Sequence, residues 1–212
     1  MVDSFAQMPL SSFLDALAAA TPTPGGGSAA AAAIAVSAGL VEMVAGLSGR
    51  KGSDAVAVAR WHEKAAEAHR LRLDSILLVQ QDSDSYQAVI AARRLPERTT
   101  EEAESRTAAV RSAALKAAEV PWRSCLAGLE VLRLTADAAI NGNPIAITDA
   151  GTAGVLALAG IQGASMNVRV NLSSLTEEKR ADFLTGLVSL EAEAEEIGAR
   201  IREIVKTRLD TG

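Results

Sequence analysis

The stretch TPTPGGGSAAAAAIA, residues 21–35, contains two prolines, three consecutive glycines, a serine and a run of alanines. It lacks the Lys-Ser/Thr ending of a phosphate-binding P-loop, and no predicted strand precedes it as in a dinucleotide-binding fold. Strong helix formers lie on both sides, which argues against a linker between two domains. We interpret it as a rigid turn into a buried alanine-rich helix, whose free N-terminal N–H groups are available to a carboxylate or a ring carbonyl.

The composition of the whole chain supports a helical fold. Of 212 residues, 49% are hydrophobic but only 3% are aromatic, so Ala, Leu, Val and Ile make up the apolar content. Alanine has the highest helix propensity, and its small side chain lets helices approach closely. The length fits one domain, and we find no repeat or interdomain linker. We expect an all-α fold, with one domain over residues 1–212 built as a bundle of long helices.

Charge and cysteine content restrict the partners and the compartment. The net charge of −5 is spread along the chain without a basic block, so we expect no nucleic-acid partner. The single cysteine, Cys125, excludes an internal disulfide, and the N-terminus has no secretory signal pattern, so we expect a cytoplasmic protein. Residues 29–48 are apolar but rich in Ala and Gly and contain Glu42. We therefore expect a buried helix there and no membrane span.

Six helical segments are predicted from start and stop signals. Ser12 and Asp15 resemble a capping box for a short first helix that ends near Ala20. The other five are predicted over about 27–47, 53–94, 99–140, 149–167 and 176–209, with caps at Ser53 and at Thr99 with Glu102, and with Pro121 as a kink or split.

The connections between these segments are predicted as turns and loops. They are residues 48–53, LPERTTEE at 95–102 and NGNPIAITD at 141–149. VRVNL, residues 168–172, is the only strand candidate, and it has no partner strand. Long helices in a chain of this size leave apolar surface for a partner, so we expect a homodimer.

A carboxylate interrupts the apolar face of the third predicted helix. On a helical wheel, Asp82 falls within an apolar stripe and Asp84 points to the opposite side, where we expect it to be solvated. The stripe comprises Leu71, Leu78, Val79, Val89 and Ile90, with Ser75 and Tyr86 close by. Desolvation raises the pKa of such a carboxylate, which suits proton transfer. An aspartate that is merely structural, satisfied by a neighbouring helix, is an equally weighted alternative.

Further polar residues are candidates for ligand binding. Asp149 lies near a predicted helix start, where the helix dipole alone would explain it, although Gly151 and Gly154 would let a ligand approach. Asn167 and Asn171 are four residues apart on one helix face. They would bind a polar ring edge or, with equal weight, cap the helix end.

No metal site is predicted. His62 and His69 are separated by about 10.5 Å along a helix, which is too far for one metal ion, and there is no Cys/His cluster. We expect both histidines to be surface or packing residues. Cys125 has no histidine near it in sequence, so we expect it to be buried and not nucleophilic.

Six stretches, in order, resemble the cyclodeaminase/cyclohydrolase family. This family comprises the C-terminal domain of formiminotransferase-cyclodeaminase and stand-alone methenyltetrahydrofolate cyclohydrolases. The stretches are FLDALAAATPTPGGGSAAA (13–31), GLVEMVAGLSGRK (39–51), QDSDSYQAVIAARRLPERTTEE (81–102), AAEVP (117–121), NGNPIAITDAG (141–151) and GASMNVRVNL (163–172).

The resemblance implies an all-helical homodimer with a folate site, where a tetrahydrofolate derivative is the substrate and no metal or other cofactor is required. The family's Asp-x-x-x-Tyr/Phe pattern falls on Asp82 and Tyr86. Its Ser/Thr-Asp pattern falls on Thr148 and Asp149, and its Asn-Val-x-x-Asn pattern on Asn167 and Asn171. Many members carry an aromatic residue after the basic pair at 50–51, where this chain has Gly-Ser, so ring stacking there has no support.

The resemblance implies one of two enzymatic reactions. One is hydrolysis of 5,10-methenyltetrahydrofolate to 10-formyltetrahydrofolate, and the other is closure of 5-formiminotetrahydrofolate with loss of ammonia. Because these residues include no formiminotransferase domain, we expect the cyclohydrolase. The cyclodeaminase is the alternative, and a non-catalytic folate-binding helical dimer is the second one.

The site prediction follows from the same residues. We expect Asp82 to be the acid/base that activates water. The glycine turn and the pair Arg50 and Lys51 are candidates for the pterin edge or the carboxylates of the folate tail. The predicted substrate-binding residues are Pro24, Gly25, Gly26, Gly27, Ser28, Arg50, Lys51, Tyr86, Asn143, Asp149, Asn167 and Asn171.

Overall fold

The computed structural model describes residues 4–50 and 54–211, which form six α-helices and three short 3-10 turns. The helices are α1 (Leu10–Ala18), α2 (Gly26–Arg50), α3 (Ala55–Arg93), α4 (Thr100–Asn141), α5 (Ile147–Asn171) and α6 (Glu177–Thr211). The turns are Phe5–Gln7, Pro144–Ala146 and Leu172–Ser174. These two ranges contain no strand, so the predicted all-α fold is confirmed.

Helix α2 lies at the centre of the bundle. It contacts α3, α4 and α5, while α6 packs on α4 and α5. The main core takes residues from five helices, including Ile34 of α2, Leu71 of α3, Leu132 of α4, Ile161 of α5 and Ile201 of α6. The alanine-rich sequence of α2 thus forms a buried helix, as its composition predicts.

Glycines allow α2, α4 and α5 to pack closely. A β-carbon at Gly160 of α5 would lie 2.5 Å from Cγ1 of Ile34, and one at Gly128 of α4 would lie 2.6 Å from Cγ1 of Ile161. Neither distance is compatible with a side chain, so the helices approach each other only because both positions are glycine. This close approach fixes the N-terminal part of α2 against its neighbours.

Helix α4 has the predicted capping box at its start and contains Pro121 in its interior. The capping box is present: Glu102 N–H donates to Oγ1 of Thr99 at 3.2 Å, and the Glu102 carboxylate accepts from Thr99 N–H. Pro121 lies buried inside one continuous helix, so the predicted split does not occur.

The start of α1 and the end of α2 differ from the prediction. Pro9 is the N-cap of α1 and no side chain caps it, so Ser12 and Asp15 lie inside the helix and form no capping box. Helix α2 continues to Arg50, beyond the predicted end near residue 47. Ser48 is buried in it and donates from Oγ to the Val44 carbonyl at 2.7 Å, which replaces the solvent contacts that a serine would find in a loop.

The start of α3 also differs in its cap. Ser53, the predicted cap, lies outside the described residues. Asp54 is the N-cap, and its carboxylate accepts from Val56 N–H at 3.1 Å. Aspartate at this position satisfies a free helix N–H and interacts favourably with the dipole.

The prediction of a loop over residues 141–149 is wrong for most of its length. Pro144 begins a 3-10 turn, Asn143 caps this turn by accepting from Ile145 N–H at 3.2 Å, and α5 begins at Ile147. Proline suits the start of such a turn because its missing N–H has no role there. The strand candidate at residues 168–172 is helical up to Asn171. Val168 and Leu172, four residues apart, are both buried, as expected for one face of a helix.

Helix α2 and the segment 144–174 are both long and apolar enough to cross a membrane by length and composition alone. Half of the apolar window of each is buried inside the protein.

Candidate functional site

A pocket of about 360 Å³ lies between the N-terminus of α2, the second half of α3 and the C-terminal end of α5. Its walls carry both charged and apolar groups. The lining residues are Pro22, Thr23, Gly25, Gly26, Gly27, Asp82, Ser85, Tyr86, Val89, Ile90, Arg93, Ala117, Asn167, Val170 and Asn171.

The carboxylate of Asp82 lies directly against the first turn of α2. A β-carbon at Gly27 would be only 2.1 Å from Oδ1 of Asp82, so any larger residue at position 27 would displace the carboxylate. The first N–H groups of a helix have no partners within the helix, and its dipole favours a negative charge at this end. The glycine turn therefore admits the Asp82 carboxylate to the positive end of α2.

A buried hydroxyl cluster supports this carboxylate from behind. The Ser28 Oγ lies 3.0 Å from Oδ2 of Asp82, 3.0 Å from the carbonyl oxygen of Val79 and 3.2 Å from Oγ of Ser83. Ser28 and Ser83 are both buried. A hydroxyl donates one hydrogen bond and accepts two, so Ser28 can donate to the carboxylate while it accepts from Ser83.

The pKa of Asp82 is raised above its ordinary value, because burial disfavours the charged carboxylate. Hydrogen bonds from the Ser28 side chain and from the Ser28 backbone N–H act in the opposite direction. The side chain is only half-buried and lines the pocket, so its remaining acceptor positions can reach a bound molecule. A partly desolvated carboxylate of this kind suits proton transfer.

Two amides form the opposite wall. Asn167 donates from Nδ2 to the Gly163 carbonyl at 2.9 Å. Asn171 donates from Nδ2 to the carbonyls of Ala117 at 2.8 Å and Asn167 at 2.9 Å. These bonds fix both side chains, and they leave each Oδ1 without a donor among the described residues. The pocket is thus lined by two fixed amides, and Nδ2 of Asn167 lies 3.5 Å from the position of a β-carbon at Gly26.

The loop before α2 is attached to α3 by one hydrogen bond between side chains, and a second bond lies within the loop. The Thr23 Oγ1 accepts from Nε2 of Gln87 at 3.1 Å, and Thr21 donates from Oγ1 to the Thr23 carbonyl at 3.1 Å. Pro24 is buried, and the peptide bond between Thr23 and Pro24 is cis. Pro24, a predicted binding residue, does not line the pocket, whereas Gly25, Gly26 and Gly27 do.

Three other predicted binding residues lie at the far end of the bundle. Arg50 ends α2, 23 residues from Gly27, which is roughly 35 Å along the helix. Asn143 is close to that end, because its N–H donates to Oγ of Ser48 at 2.8 Å. Asp149 lies in the first turn of α5, roughly 27 Å from Asn167 by helix rise. None of the three lines the pocket of Asp82, and Lys51 lies outside the described residues.

The glycines that follow Asp149 have a packing role. A β-carbon at Gly151 would lie 3.2 Å from Val205, and one at Gly154 would lie 2.9 Å from Cγ2 of Ile201. Both contacts are with α6, so these glycines accommodate a neighbouring helix.

Sequence reasoning missed Arg93 as a pocket residue. Arg93 lies in the last turn of α3, where a basic residue is already explained by the helix dipole. The spacing of Asp82, Tyr86, Val89 and Arg93, at intervals of four, three and four residues, was the available signal that they share one helix face.

The structure confirms the predicted burial of Cys125 and the predicted exposure of Asp84, and both histidines lie at the surface. Cys125 is buried, and desolvation raises its pKa to about 12, so its thiol is not a nucleophile at neutral pH. His62 and His69 are exposed, and Nδ1 of His69 lies 2.9 Å from Oε1 of Glu42. Asp84 is exposed and accepts from Nε2 of Gln80 at 2.8 Å. In the two described ranges, no three His, Cys, Asp or Glu side chains are grouped as metal ligands.

The fold and the pocket define a helical-bundle protein with a partly desolvated aspartate at a helix N-terminus. The sequence pattern of the family described as Formiminotransferase-cyclodeaminase matches residues 9–188. The chain belongs to this family.

Two individual proteins resemble the chain over almost its whole length. The methenyltetrahydrofolate cyclohydrolase of Methylorubrum extorquens is 36% identical over 205 residues, which cover 95% of this chain and 97% of that protein. The crystal structure of formiminotetrahydrofolate cyclodeaminase from Thermotoga maritima superimposes with a TM-score of 0.85 at 24% identity, covering 96% of this chain and 98% of that one. The second likeness supports the fold.

Proposed function

We propose that this protein is a methenyltetrahydrofolate cyclohydrolase, which hydrolyses 5,10-methenyltetrahydrofolate to 10-formyltetrahydrofolate. The observation that carries the proposal is the Asp82 carboxylate, held against the first turn of α2 in an open pocket with a raised pKa. The full-length similarity to the Methylorubrum cyclohydrolase supports the choice of reaction.

The chemistry of the substrate fits a single aspartate. The one-carbon bridge between N5 and N10 is a cation, so an ionised carboxylate nearby stabilises it and the carbon needs no further activation. As a water molecule attacks this carbon, Asp82 takes one proton and a neutral carbinolamine forms. Asp82 then gives its proton to N5 as the C–N5 bond breaks, and the hydroxyl proton leaves as the formyl carbonyl forms. Overall, one water is consumed and one proton is released.

The other groups of the pocket would bind and orient the substrate. The backbone of Gly25 to Gly27 can approach a flat ring closely, and Oδ1 of Asn167 and Asn171 can accept hydrogen bonds from the N–H groups of a pterin. The Tyr86 ring lies beyond Asp82 on the same wall, where it can contact the aromatic part of the substrate. Ser28 would support Asp82 and not contact the substrate, because it is fully buried.

The same proposal includes a homodimer. Large apolar side chains are exposed on α2, α3 and α5, among them Val36, Leu77, Val155 and Met166. Within one chain, Arg50, Asn143 and Asp149 cannot reach the Asp82 pocket. A role for these residues in the reaction would therefore require a second copy of the chain.

We also propose that the reaction takes place in the cytoplasm. We further propose that it uses no metal or other cofactor, because the substrate carbon already carries the positive charge that a Lewis acid would otherwise induce.

The test of the reaction is a direct assay. Purified protein is mixed with 5,10-methenyltetrahydrofolate, and the loss of its near-ultraviolet absorbance is followed against buffer alone. We expect a clear acceleration. No acceleration, together with ammonia release from 5-formiminotetrahydrofolate, would assign the protein to the cyclodeaminase reaction instead.

Substitution of the aspartate tests the mechanism. Asp82→Asn should reduce kcat by about 10²–10⁴-fold, the usual contribution of general acid–base catalysis, with folate binding retained. Asp84→Asn, two residues away and exposed, is the matched control and should turn over substrate like the unmodified protein. Unchanged turnover and binding in Asp82→Asn would mean that Asp82 is structural, and folate binding without turnover in the unmodified protein would identify a binding protein.

A further inference from the structure

The Asp82 pocket changes in polarity along α3. At one end, Asp82 faces the first turn of α2, and the amide of Asn167 lies beside Gly26 in the same turn. One to two turns further along α3 the wall becomes apolar, with Tyr86, Val89 and Ile90. Arg93 completes the same wall, 11 residues from Asp82, or roughly 16 Å along the helix axis.

The Arg93 side chain is available to a ligand. It is exposed, and its guanidinium makes no hydrogen bond or ion pair with any described residue. Its backbone carbonyl accepts from Nε of Arg106 at 3.2 Å, which attaches the C-terminal end of α3 to α4. Arg106 itself is paired with Glu97. A fixed backbone with an unpaired guanidinium suits an anion that arrives from solution.

We propose that Arg93 binds the glutamate carboxylates of the folate tail and so sets the preference of the site for glutamylated substrates. This inference rests on the proposed function. A folate has a polar ring system, an aromatic aminobenzoyl group and a dicarboxylate in that order, and the pocket presents Asp82 with the Asn167 amide, an apolar wall and a guanidinium in the same order. Arginine binds carboxylates with two parallel hydrogen bonds, which favours it for this task. The assignment replaces Arg50 as the candidate for the tail.

The test compares two substrates that differ only in the tail. They are 5,10-methenyltetrahydrofolate and 5,10-methenyltetrahydropteroate, which lacks the glutamate. In Arg93→Gln, KM for the folate should rise by about ten-fold with kcat nearly unchanged, as expected for loss of one exposed charge-assisted interaction. KM for the pteroate should not rise. Arg94→Gln is the matched control, since Arg94 is the neighbouring exposed arginine outside the pocket, and it should leave both KM values unchanged.

Two outcomes would overturn the assignment. One is an Arg93→Gln variant that raises KM for both substrates equally, and the other is a variant that changes neither. If the unmodified protein hydrolyses neither compound, the proposed reaction has failed separately. Calorimetric titration with 5-formyltetrahydrofolate and 5-formyltetrahydropteroate then decides the inference. If Arg93 binds the tail, the unmodified protein binds 5-formyltetrahydrofolate more tightly than 5-formyltetrahydropteroate, and Arg93→Gln abolishes this difference. Equal binding of the two compounds by the unmodified protein, or no binding of either, contradicts the inference.

Discussion

At the scale of single residues, Ser28 lets Asp82 change its protonation state without losing a hydrogen bond. When Asp82 is ionised, Ser28 donates to Oδ2 and accepts from Ser83. When Asp82 is protonated, the carboxyl donates to Ser28, and Ser28 turns its own hydrogen to the Val79 carbonyl at 3.0 Å. Because every polar atom of this buried cluster keeps a partner in both states, a proton can move onto and off Asp82 with little reorganisation.

This arrangement predicts the effect of Ser28→Ala on the pH dependence of catalysis. The variant lacks the side-chain donor that lowers the pKa of Asp82, so the desolvation that raises it is less opposed. The acidic limb of kcat/KM, along which the base becomes ionised, should therefore move to higher pH. The measurement is a pH–rate profile of the variant beside the unmodified protein.

Ser83→Ala is the control for this prediction. Ser83 contacts Ser28 but not the Asp82 carboxylate, so the limb should stay in place. Equal shifts of the acidic limb in the two variants, or no shift in Ser28→Ala, would contradict the proposed effect of the Ser28 hydroxyl on the pKa of Asp82. Thermal unfolding of each variant separates these outcomes from a loss of folding.

The sequence predicted that Asp82 lies on an apolar helix face, but it did not predict where the neighbouring polar residues lie relative to it. A carboxylate in an apolar stripe is visible on a helical wheel, and the structure places this one half-buried with a raised pKa. Ser28 was predicted to contact substrate, yet it is buried behind Asp82, because burial of a serine depends on which helix crosses it. The distance from Asp82 to Asp149 likewise depends on tertiary packing, which residue spacing within one helix does not report.

At the scale of helices, one of the two capping boxes predicted from the sequence is present and the one at Ser12 and Asp15 is not. The capping box at Thr99 and Glu102 involves residues three apart and was read correctly. Residues 48–50 and 141–149 were misread because Gly, Ser and Pro are turn residues in isolation. In the fold, burial among other helices overrides those preferences.

The close approach of α2 and α5 predicts opposite effects for two Gly→Ala substitutions. Gly160→Ala forces a methyl group against Ile34 at 2.5 Å, and we expect it to lower the free energy of unfolding by about 1–3 kcal/mol. Gly46→Ala adds a methyl group with nothing within 4 Å on an exposed face of α2, and it should raise that free energy by about 0.5–1 kcal/mol.

Urea unfolding with matched slopes measures both changes. Similar effects of the two substitutions would show that helix propensity, and not the contact with Ile34, controls the response.

At the scale of the whole molecule, the bundle leaves apolar surface uncovered. A groove of about 580 Å³ runs between α5 and α6, lined by Gly154, Val155, Ile201, Val205 and Leu209 among others. Val155 and Leu209 are more than half exposed. Surface of this kind is typical of chains that associate.

The proposed homodimer predicts that light scattering on a sizing column gives a mass of twice the 21.9 kDa chain. Val155→Asp, which puts a charge into the groove, should shift the protein towards the monomer. Val56→Asp is the control, because Val56 is similarly exposed in the first turn of α3, outside the groove. A monomeric mass for the unmodified protein at assay concentration would refute the dimer.

The contact between Gly27 and Asp82 also limits how this protein can diverge. Any side chain at position 27 occupies the space of the carboxylate, so Gly27→Ala is tolerated only if residue 82 becomes smaller or moves away. Every replacement at residue 82 that makes this room also removes the carboxylate that we propose as the acid/base. If Asp82 has the proposed role, positions 27 and 82 are epistatic with no active compensating pair, and a lineage that substitutes the glycine can keep the fold only by giving up the reaction.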